Sequence, residues 1–200
     1  MYIDSKKRMK LLFASSNEHK LTEINAILPH GFQLISLKEI HFHDEIPETA
    51  DTIEGNAIQK ATFLADKMNI PCFADDSGLI VPSLNGEPGV YSARYAGPQR
   101  DANDNMDLVM EKLDQQSDRS AYFTTIIALY IHHKVHLFEG RIDGTIIHEK
   151  RGNNGFGYDP IFVPNGSDKT FAEMTTEEKS AMSHRGKALA KMTEYLKRIG

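Results

Sequence analysis

Short apolar runs alternate with longer segments of helical periodicity through the first third of the chain. Apolar side chains recur three and four residues apart where the sequence favours helices, and they are continuous where it favours buried strands. The order of these segments is typical of a β-α-β arrangement. The pattern predicts a strand at residues 10–14, a helix at 20–28, a strand at 33–36, a helix at 53–68 and a strand that begins at Pro71 and ends at Asp75.

The remainder of the chain changes from this pattern to hairpins and terminal helices. A glycine- and proline-rich loop at residues 86–98 precedes an amphipathic helix. Residues 121–131 are rich in β-branched and aromatic side chains, and residues 135–138 follow a short polar turn, which predicts an antiparallel hairpin. Thr175 and Glu178 match a capping box before the last helices. We therefore expect an α/β fold in which helices flank a mixed sheet.

Composition places the chain among globular proteins with a substantial core. Its 200 residues are 40% hydrophobic, and its net charge of -5 lacks the basic excess that binds nucleic acid polymers. The polar residues 1–8 lack the apolar core of a signal peptide, and no run reaches membrane-spanning length. We expect a cytoplasmic protein with no nucleic acid or membrane partner, a poorly ordered extension at residues 1–9 and a single domain over residues 10–200.

Two adjacent carboxylates and a hydroxyl, Asp75, Asp76 and Ser77, stand where the third predicted strand stops before Gly78. Acidic side chains at the end of a strand place hard oxygen ligands at the edge of a sheet, where Mg²⁺ can hold phosphate oxygens. An ordinary Asp-Ser-Gly turn explains the same residues. Both interpretations end the strand at Asp75.

A polar segment between the first predicted strand and helix offers groups suited to phosphate. Backbone N–H groups and the helix dipole attract anions at such a turn, and a lysine adds a formal charge. The segment lacks the glycines of a P-loop, and a plain helix cap is the alternative interpretation. It consists of Ser15, Ser16, Asn17, Glu18, His19 and Lys20.

A glycine-rich loop at residues 152–160 surrounds two aromatic side chains, Phe156 and Tyr158. Aromatic rings stack on nucleobases with about 1 to 3 kcal/mol per base and with little discrimination. Polar neighbours such as Asp159 then have to distinguish one base from another. The alternative is a tight turn whose aromatic side chains fill the core.

Basic side chains cluster where the two last helices are predicted to meet. Lys179 can contact phosphate as a point charge, and Arg185, beside His184, offers donors in a fixed fork. Solvated charges at helix ends are the alternative interpretation.

Five motifs in this order resemble the inosine triphosphate pyrophosphatase family, the bacterial dITP/XTP pyrophosphatases of noncanonical purine nucleotides. The motifs lie at residues 15–20, 74–78, 88–95, 156–160 and 178–186. The resemblance implies an elongated mixed sheet flanked by helices, two lobes with a central cleft, and a homodimer. It also implies Mg²⁺-dependent hydrolysis of ITP, dITP or XTP to the nucleoside monophosphate and pyrophosphate.

The same resemblance assigns roles by position within the motifs. It implies that Asp76 is the catalytic acid–base group and a metal ligand, that Glu48 is a second metal ligand, and that Ser77 contacts the substrate. It implies that the phosphates are held by the first motif, residues 15–20, together with Lys60 and Lys179. The residues that it places around the base are Phe156, Gly157, Tyr158, Asp159, His184 and Arg185. The first motif departs from the family, because Ser15 and Ser16 stand where Thr-Gly is common.

Base selectivity is expected to follow from hydrogen-bond polarity. Donors from Arg185 or from backbone amides pair with the oxygen at position 6 of hypoxanthine and xanthine, and the amino group of adenine leaves them unpaired.

Two other functions remain open from the residues. A pyrophosphatase for modified pyrimidine or methylated nucleotides shares the reaction and needs a different base pocket. A non-enzymatic nucleotide-binding regulator does not need Glu48, Asp75 and Asp76 together. His41, His43 and Asp44 suggest a transition-metal site, which an ordinary polar loop explains as well. Cys72, the single cysteine, lies in an apolar stretch and is predicted to pack in the core.

Overall fold

The structure, a computed structural model, describes residues 8–199, except for the side chains of Glu18, His19, Thr22, Glu23 and Ala26. The strands in this part of the chain are β1 (Met9–Phe13), β2 (Phe32–Ile35), β3 (Cys72–Ile80), β4 (Ser120–Ile131), β5 (Lys134–Ile146) and β6 (Phe162–Pro164). The α-helices are α1 (Glu18–Ile27), α2 (Ile53–Met68), α3 (Ala102–Lys112), α4 (Thr176–Met182) and α5 (His184–Ile199). Short 3-10 helices lie at Pro82–Leu84, Gly89–Arg94, Asp159–Ile161 and Phe171–Glu173.

The six strands form one sheet in the order β2-β1-β3-β4-β5-β6. β1 pairs in parallel with β2 and β3, whereas β5 pairs antiparallel with β6. Parallel and antiparallel pairs in one sheet, together with the helices between the strands, confirm the predicted mixed α/β class.

Helix α2 begins and ends at the residues that its periodicity predicts. The hydroxyl of Thr52 caps it by accepting a hydrogen bond from the Gly55 N–H at 2.9 Å, and Asn69 ends it with a left-handed φ of 52°. The capping box of Thr175 and Glu178 is also present, at the start of α4. Local signals of this kind are reliable because both partners are close in sequence.

Strand β3 continues through the acidic motif, so the prediction that this strand ends at Asp75 is wrong. It contains residues 75–78 and runs to Ile80. Polar side chains persist within the strand because groups distant in sequence provide their hydrogen bonds. These partners are Lys20 for Asp75, Lys60 for Asp76 and Thr125 for Ser77.

A two-residue turn joins β4 to β5, as predicted. Its residues, His132 and His133, both have positive φ, of 51° and 60°, which is the geometry of a type I′ hairpin turn. The second strand is longer than the predicted 135–138, since β5 has 13 residues.

The chain divides into two compact units, which we call the first and second units. The first contains the chain up to Asp76, Ile126–Phe138 and the end from Leu189, and the second contains Ser77–Thr125 and Glu139–Ala188. Each unit has an apolar core of its own. The first core packs α2 against β1 and β3 and includes Leu12, Ala61, Leu64 and, as predicted, the buried Cys72. The second core includes Leu79, Val109, Phe123, Phe162 and Phe171.

Residues 1–7 of the predicted extension, which spans residues 1–9, lie outside the described residues. Met9, at the end of this extension, already belongs to β1. The single domain over residues 10–200 stays a prediction. Within residues 8–199, no helix is both long enough and apolar enough to cross a membrane.

Candidate active site

A buried lysine joins the two predicted metal ligands in the first unit. The ammonium of Lys60 donates to Glu48 Oε1 at 2.7 Å and to Asp76 Oδ1 at 3.0 Å. Its side chain is only 8% exposed, because Lys60 lies on the buried face of α2 beside Ala57, Ala61 and Leu64. The helix therefore delivers a positive charge from the core to the acidic motif.

The second lysine–carboxylate pair lies beside the first. Lys20 donates to both oxygens of Asp75, at 2.9 and 2.7 Å, and the Asp75 side chain is 4% exposed. Lys20 reaches it from the first turn of α1. The sequence offers no means of foreseeing this pair, because its members belong to different predicted motifs.

Burial and charge act in opposite directions on the central pair. Burial raises the pKa of Asp76, and the positive charge of Lys60 does not cancel this effect. Burial acts to lower the pKa of Lys60, but Asp76 and Glu48 outweigh it, so that its pKa is raised. Lys60 is therefore a permanent cation at this site, and Asp76 is a stronger base than an exposed aspartate.

The polar segment after β1 caps helix α1. The hydroxyl of Ser15 accepts from the Asn17 N–H at 3.2 Å, and Asn17 Oδ1 accepts from the Lys20 N–H, also at 3.2 Å. Ser16 is exposed. The helix-cap interpretation of this segment is thus confirmed, and a role of the segment, including Glu18 and His19, in binding phosphate stays a prediction.

Two of the carboxylates that the sequence singles out, Glu48 and Asp76, share the ammonium of Lys60 as a partner. Among the described residues, no group of three or more His, Cys, Asp or Glu side chains is arranged to hold a metal ion. Two carboxylates completed by substrate phosphates are a common arrangement for Mg²⁺. The donor set of Glu48 and Asp76 therefore fits this ion.

A cavity of about 290 Å³ lies in the second unit and contains the predicted base-binding residues. One wall comes from β3 and the loop after it, and another comes from the glycine-rich loop and the helix ends. Its lining includes Ser77, Ser92, Arg100, Phe123, Phe156, Gly157, Tyr158, Asp159, Lys179, His184 and Arg185.

Asp159 organises the glycine-rich loop. It is 3% exposed, and its Oδ2 accepts from the Phe156 N–H at 2.7 Å and from the ammonium of Lys179 at 2.5 Å. The adjacent Gly155 has a φ of +79°, and a Cβ there would come within 2.1 Å of the same carboxylate oxygen. The glycine is therefore required both by its conformation and by the close approach of Asp159.

The two aromatic residues of the loop differ in exposure. Phe156 is 56% exposed, and the cations of Lys179 and Arg185 lie 4.7 and 5.4 Å from its ring centroid. Tyr158 is buried, its hydroxyl donates to the Ser92 carbonyl at 2.8 Å, and burial raises its pKa. Phe156 thus offers a ring face for stacking, whereas Tyr158 is part of the cavity wall.

The break between α4 and α5 places His184 and Arg185 at the start of α5, as predicted. Both residues are buried, so the interpretation of these residues as solvated charges is wrong. The His184 ring stacks on Phe123, with centroids 4.8 Å apart and planes 11° from parallel. Burial of two polar side chains beside a cavity is typical of a recognition site.

Sequence reasoning missed several residues that line the cavity or hold its wall, among them Ser92, Arg100 and Thr125. Ser92 belongs to the motif at residues 88–95, and Arg100 carries no signal in the sequence. Thr125 does carry one, because it lies at an inward position of β4 between the apolar Phe123 and Ile127. A polar residue at a core position of an alternating strand indicates a buried hydrogen bond.

Comparisons with known proteins identify the family of the chain. Residues 11–195 match the sequence profile of the Ham1 family, and the chain belongs to this family. It is 52% identical over 189 residues to the dITP/XTP pyrophosphatase of Flavobacterium psychrophilum, covering 94% of this chain and 100% of that protein. These matches confirm the resemblance that the five motifs indicate.

Solved structures of the family share the fold. The Staphylococcus aureus Ham1 protein matches with a TM-score of 0.90 and 38% identity, covering 96% of this chain and 100% of that one. A HAM1 protein from Coxiella burnetii matches with a TM-score of 0.90 and 39% identity, covering 95% and 99%.

Proposed function

We propose that this chain hydrolyses nucleoside triphosphates of noncanonical purines, such as ITP, dITP and XTP, to the nucleoside monophosphate and pyrophosphate. The observation that carries the proposal is the buried ammonium of Lys60, which joins Glu48 and Asp76 one residue before the cavity-lining Ser77. The name of the relative from Flavobacterium psychrophilum, dITP/XTP pyrophosphatase, supports the substrate class. The reaction removes such nucleotides from the nucleotide pool.

Mg²⁺ is the proposed cofactor of this reaction. Glu48 and Asp76 would hold it, because their carboxylates are the hard oxygen ligands that it prefers. When bound, the ion supplies positive charge that neutralises phosphate oxygens.

The lysines of the site supply positive charge that can neutralise the phosphates of the substrate. A triphosphate brings about four negative charges, and phosphoryl transfer depends on neutralising them and on positioning the groups. Lys20 and Lys60 supply positive charge in the first unit, and Lys179 supplies it in the second. Each of the three is held by a carboxylate, so each charge is in place before the substrate arrives.

Asp76 is the proposed proton acceptor. Water attacks phosphorus, the anhydride bond between the α and β phosphates breaks, and pyrophosphate leaves. The attacking water loses a proton, and the Asp76 carboxylate can accept it because burial raises its pKa toward the operating range of a general base. Lys60 meanwhile keeps the carboxylate oriented.

The cavity of the second unit is the proposed base site. Phe156 offers a face on which a purine can stack, and Arg185 contacts the same ring. A donor from Arg185 or from the loop backbone favours the oxygen at position 6 of hypoxanthine or xanthine over the amino group of adenine.

The experiment that tests this function measures pyrophosphate and orthophosphate separately. The full chain is incubated with ITP, dITP, XTP, GTP, ATP and methylated or pyrimidine triphosphates, with Mg²⁺ and with excess chelator. We expect pyrophosphate from the oxopurine nucleotides ITP, dITP and XTP, and its loss with chelator. Orthophosphate release, or turnover restricted to pyrimidine or methylated nucleotides, would contradict the proposal, and binding without turnover would favour a regulator.

Assembly and location stay predictions. The homodimer follows from the resemblance, and sedimentation of the full chain tests it.

A further inference from the structure

The hydroxyl of Thr125 is buried within the second unit and contacts the hydroxyl of Ser77. Thr125 has no exposed surface, and its Oγ1 lies 2.6 Å from Ser77 Oγ. A buried hydroxyl that lacks a hydrogen bond costs about 1 to 3 kcal/mol. The contact with Ser77 is therefore the reason that β4 tolerates a threonine at a core position.

The strand fixes the backbone of Ser77, but the backbone alone does not fix the direction of the Ser77 side chain. It lies within β3, and two residues further on the Leu79 N–H donates to Ser92 Oγ at 2.9 Å, which fixes the strand against the cavity wall. A serine side chain in a fixed strand still has staggered rotamers to choose from. The hydrogen bond to Thr125 selects the rotamer of Ser77.

The direction of this hydrogen bond decides what Ser77 presents to the cavity. Each hydroxyl has one proton, and only one proton can lie between the two oxygens. If Ser77 donates to Thr125, its remaining lone pairs repel an anionic ligand. If Thr125 donates to Ser77, the Ser77 proton is available for an oxygen of the ligand.

We infer that Thr125 is a positioning residue, which donates to Ser77 and so directs the Ser77 proton to an anionic oxygen of the bound nucleotide. This inference rests on the proposed function, since it needs a ligand with phosphate oxygens. Thr125 itself does not touch the ligand. Its effect reaches the nucleotide only through Ser77.

The first test compares substitutions at Thr125 with a matched change at its neighbour. Thr125→Val removes the hydroxyl and keeps the branched shape, Thr125→Ser keeps the hydroxyl, and Thr124→Val is the control. The Thr124 hydroxyl makes only long contacts, of 3.4 Å, to Glu139 and Gly140. The readouts are KM and kcat for ITP with Mg²⁺, and the Kd of an ITP analogue with a methylene bridge between the α and β phosphates, measured by calorimetry.

We expect Thr125→Val to weaken analogue binding and to raise the KM for ITP by about tenfold, the value of one lost hydrogen bond to a charged group. Thr125→Ser is expected to keep the Kd of the analogue and the KM for ITP within about twofold of the wild-type values, and Thr124→Val is expected to leave both constants unchanged. If Thr125→Val does not fold, Thr125→Cys replaces it, because a thiol packs well in a core and is a weak donor. A Thr125→Ser variant as impaired as Thr125→Val would overturn the inference.

The second test asks whether Thr125 acts through Ser77. Thr125→Val is introduced into a Ser77→Ala background, where it is expected to change the Kd of the analogue by less than about twofold. An unchanged tenfold effect in that background would show that Thr125 acts by another route. Equal binding of the analogue by the wild-type chain and by folded Thr125→Val overturns the inference alone. A wild-type chain that binds no triphosphate analogue overturns the proposed function together with it.

Discussion

Each lysine–carboxylate pair of the candidate site has at least one buried member. Lys60 and Asp75 are almost fully buried, whereas Lys112 and its partner Glu87 are about half exposed. Exposed pairs contribute about 0 to 1 kcal/mol, but loss of one partner of a buried pair leaves an uncompensated charge. A substitution at the site therefore affects stability as well as chemistry, and each test needs a measure of folding.

Asp76→Asn removes the proposed proton acceptor and keeps the size of the side chain. We expect pyrophosphate release from ITP to fall by at least about 100-fold, since general base catalysis contributes about 10² to 10⁴. The fold is expected to persist because Lys60 keeps its bond to Glu48. Turnover and circular dichroism are measured together, with Asp51→Asn, an exposed carboxylate of the same unit, as the control. Near-normal turnover by folded Asp76→Asn would rule out this role.

Arg185→Ala tests the source of base preference. The guanidinium of Arg185 lies at the Phe156 ring, and the residue is 7% exposed, so a donor there acts in a largely dry site. We expect the ratio of kcat/KM for ITP to that for ATP to fall about 10- to 100-fold, as one charge-assisted hydrogen bond allows. Arg94→Ala is the matched control, because Arg94 stacks on Tyr91 and does not line the cavity. An unchanged ratio in Arg185→Ala would assign the preference to other groups.

At the scale of elements, β3 shows how a strand accommodates a functional motif. Its residues alternate little, because the polar segment 75–78 interrupts the apolar positions. Judged by local sequence alone, these residue types are typical of a turn. They are stable in a strand because side chains from α1, α2 and β4 provide their hydrogen bonds. The glycine-rich loop differs, since its conformation depends on contacts within the loop and with α4.

Gly155→Ala tests that loop. A left-handed backbone conformation costs an alanine roughly 1 to 2 kcal/mol. We expect Gly155→Ala to lower the free energy of unfolding by more than this, because the added Cβ also collides with Asp159. Gly166→Ala is the control, as Gly166 has a φ of +86° and open space around its Cβ position. Urea denaturation measures both variants, and ITP binding is expected to weaken only in Gly155→Ala. Equal destabilisation of the two would contradict the close contact with Asp159.

At the scale of the whole molecule, local charge matters more than net charge. The chain carries a net charge of -5, yet the proposed substrate is an anion. Lys60 is buried, and Lys20 and Lys179 are only partly exposed. Their charges can therefore act on phosphate at short range, where they outweigh a screened net charge spread over the surface. Composition alone argues against a polymer of nucleic acid as partner and says little about a small anionic ligand.

The sequence by itself determined the order and type of the α-helices and of strands β1 to β5, the bounds of α2, the hairpin turn, the capping box and the family. These features depend on side chains a few residues apart, whose spacing can be read directly. Only the tertiary structure decided that β3 continues to Ile80. It also decided that Tyr158 forms part of the cavity wall while Phe156 exposes a ring face for stacking, and which polar side chains form hydrogen bonds with one another. Lys20 and Asp75 are 55 residues apart, and Ser77 and Thr125 are 48 apart. Such partners meet only when the chain folds, so no local pattern of residues can specify them.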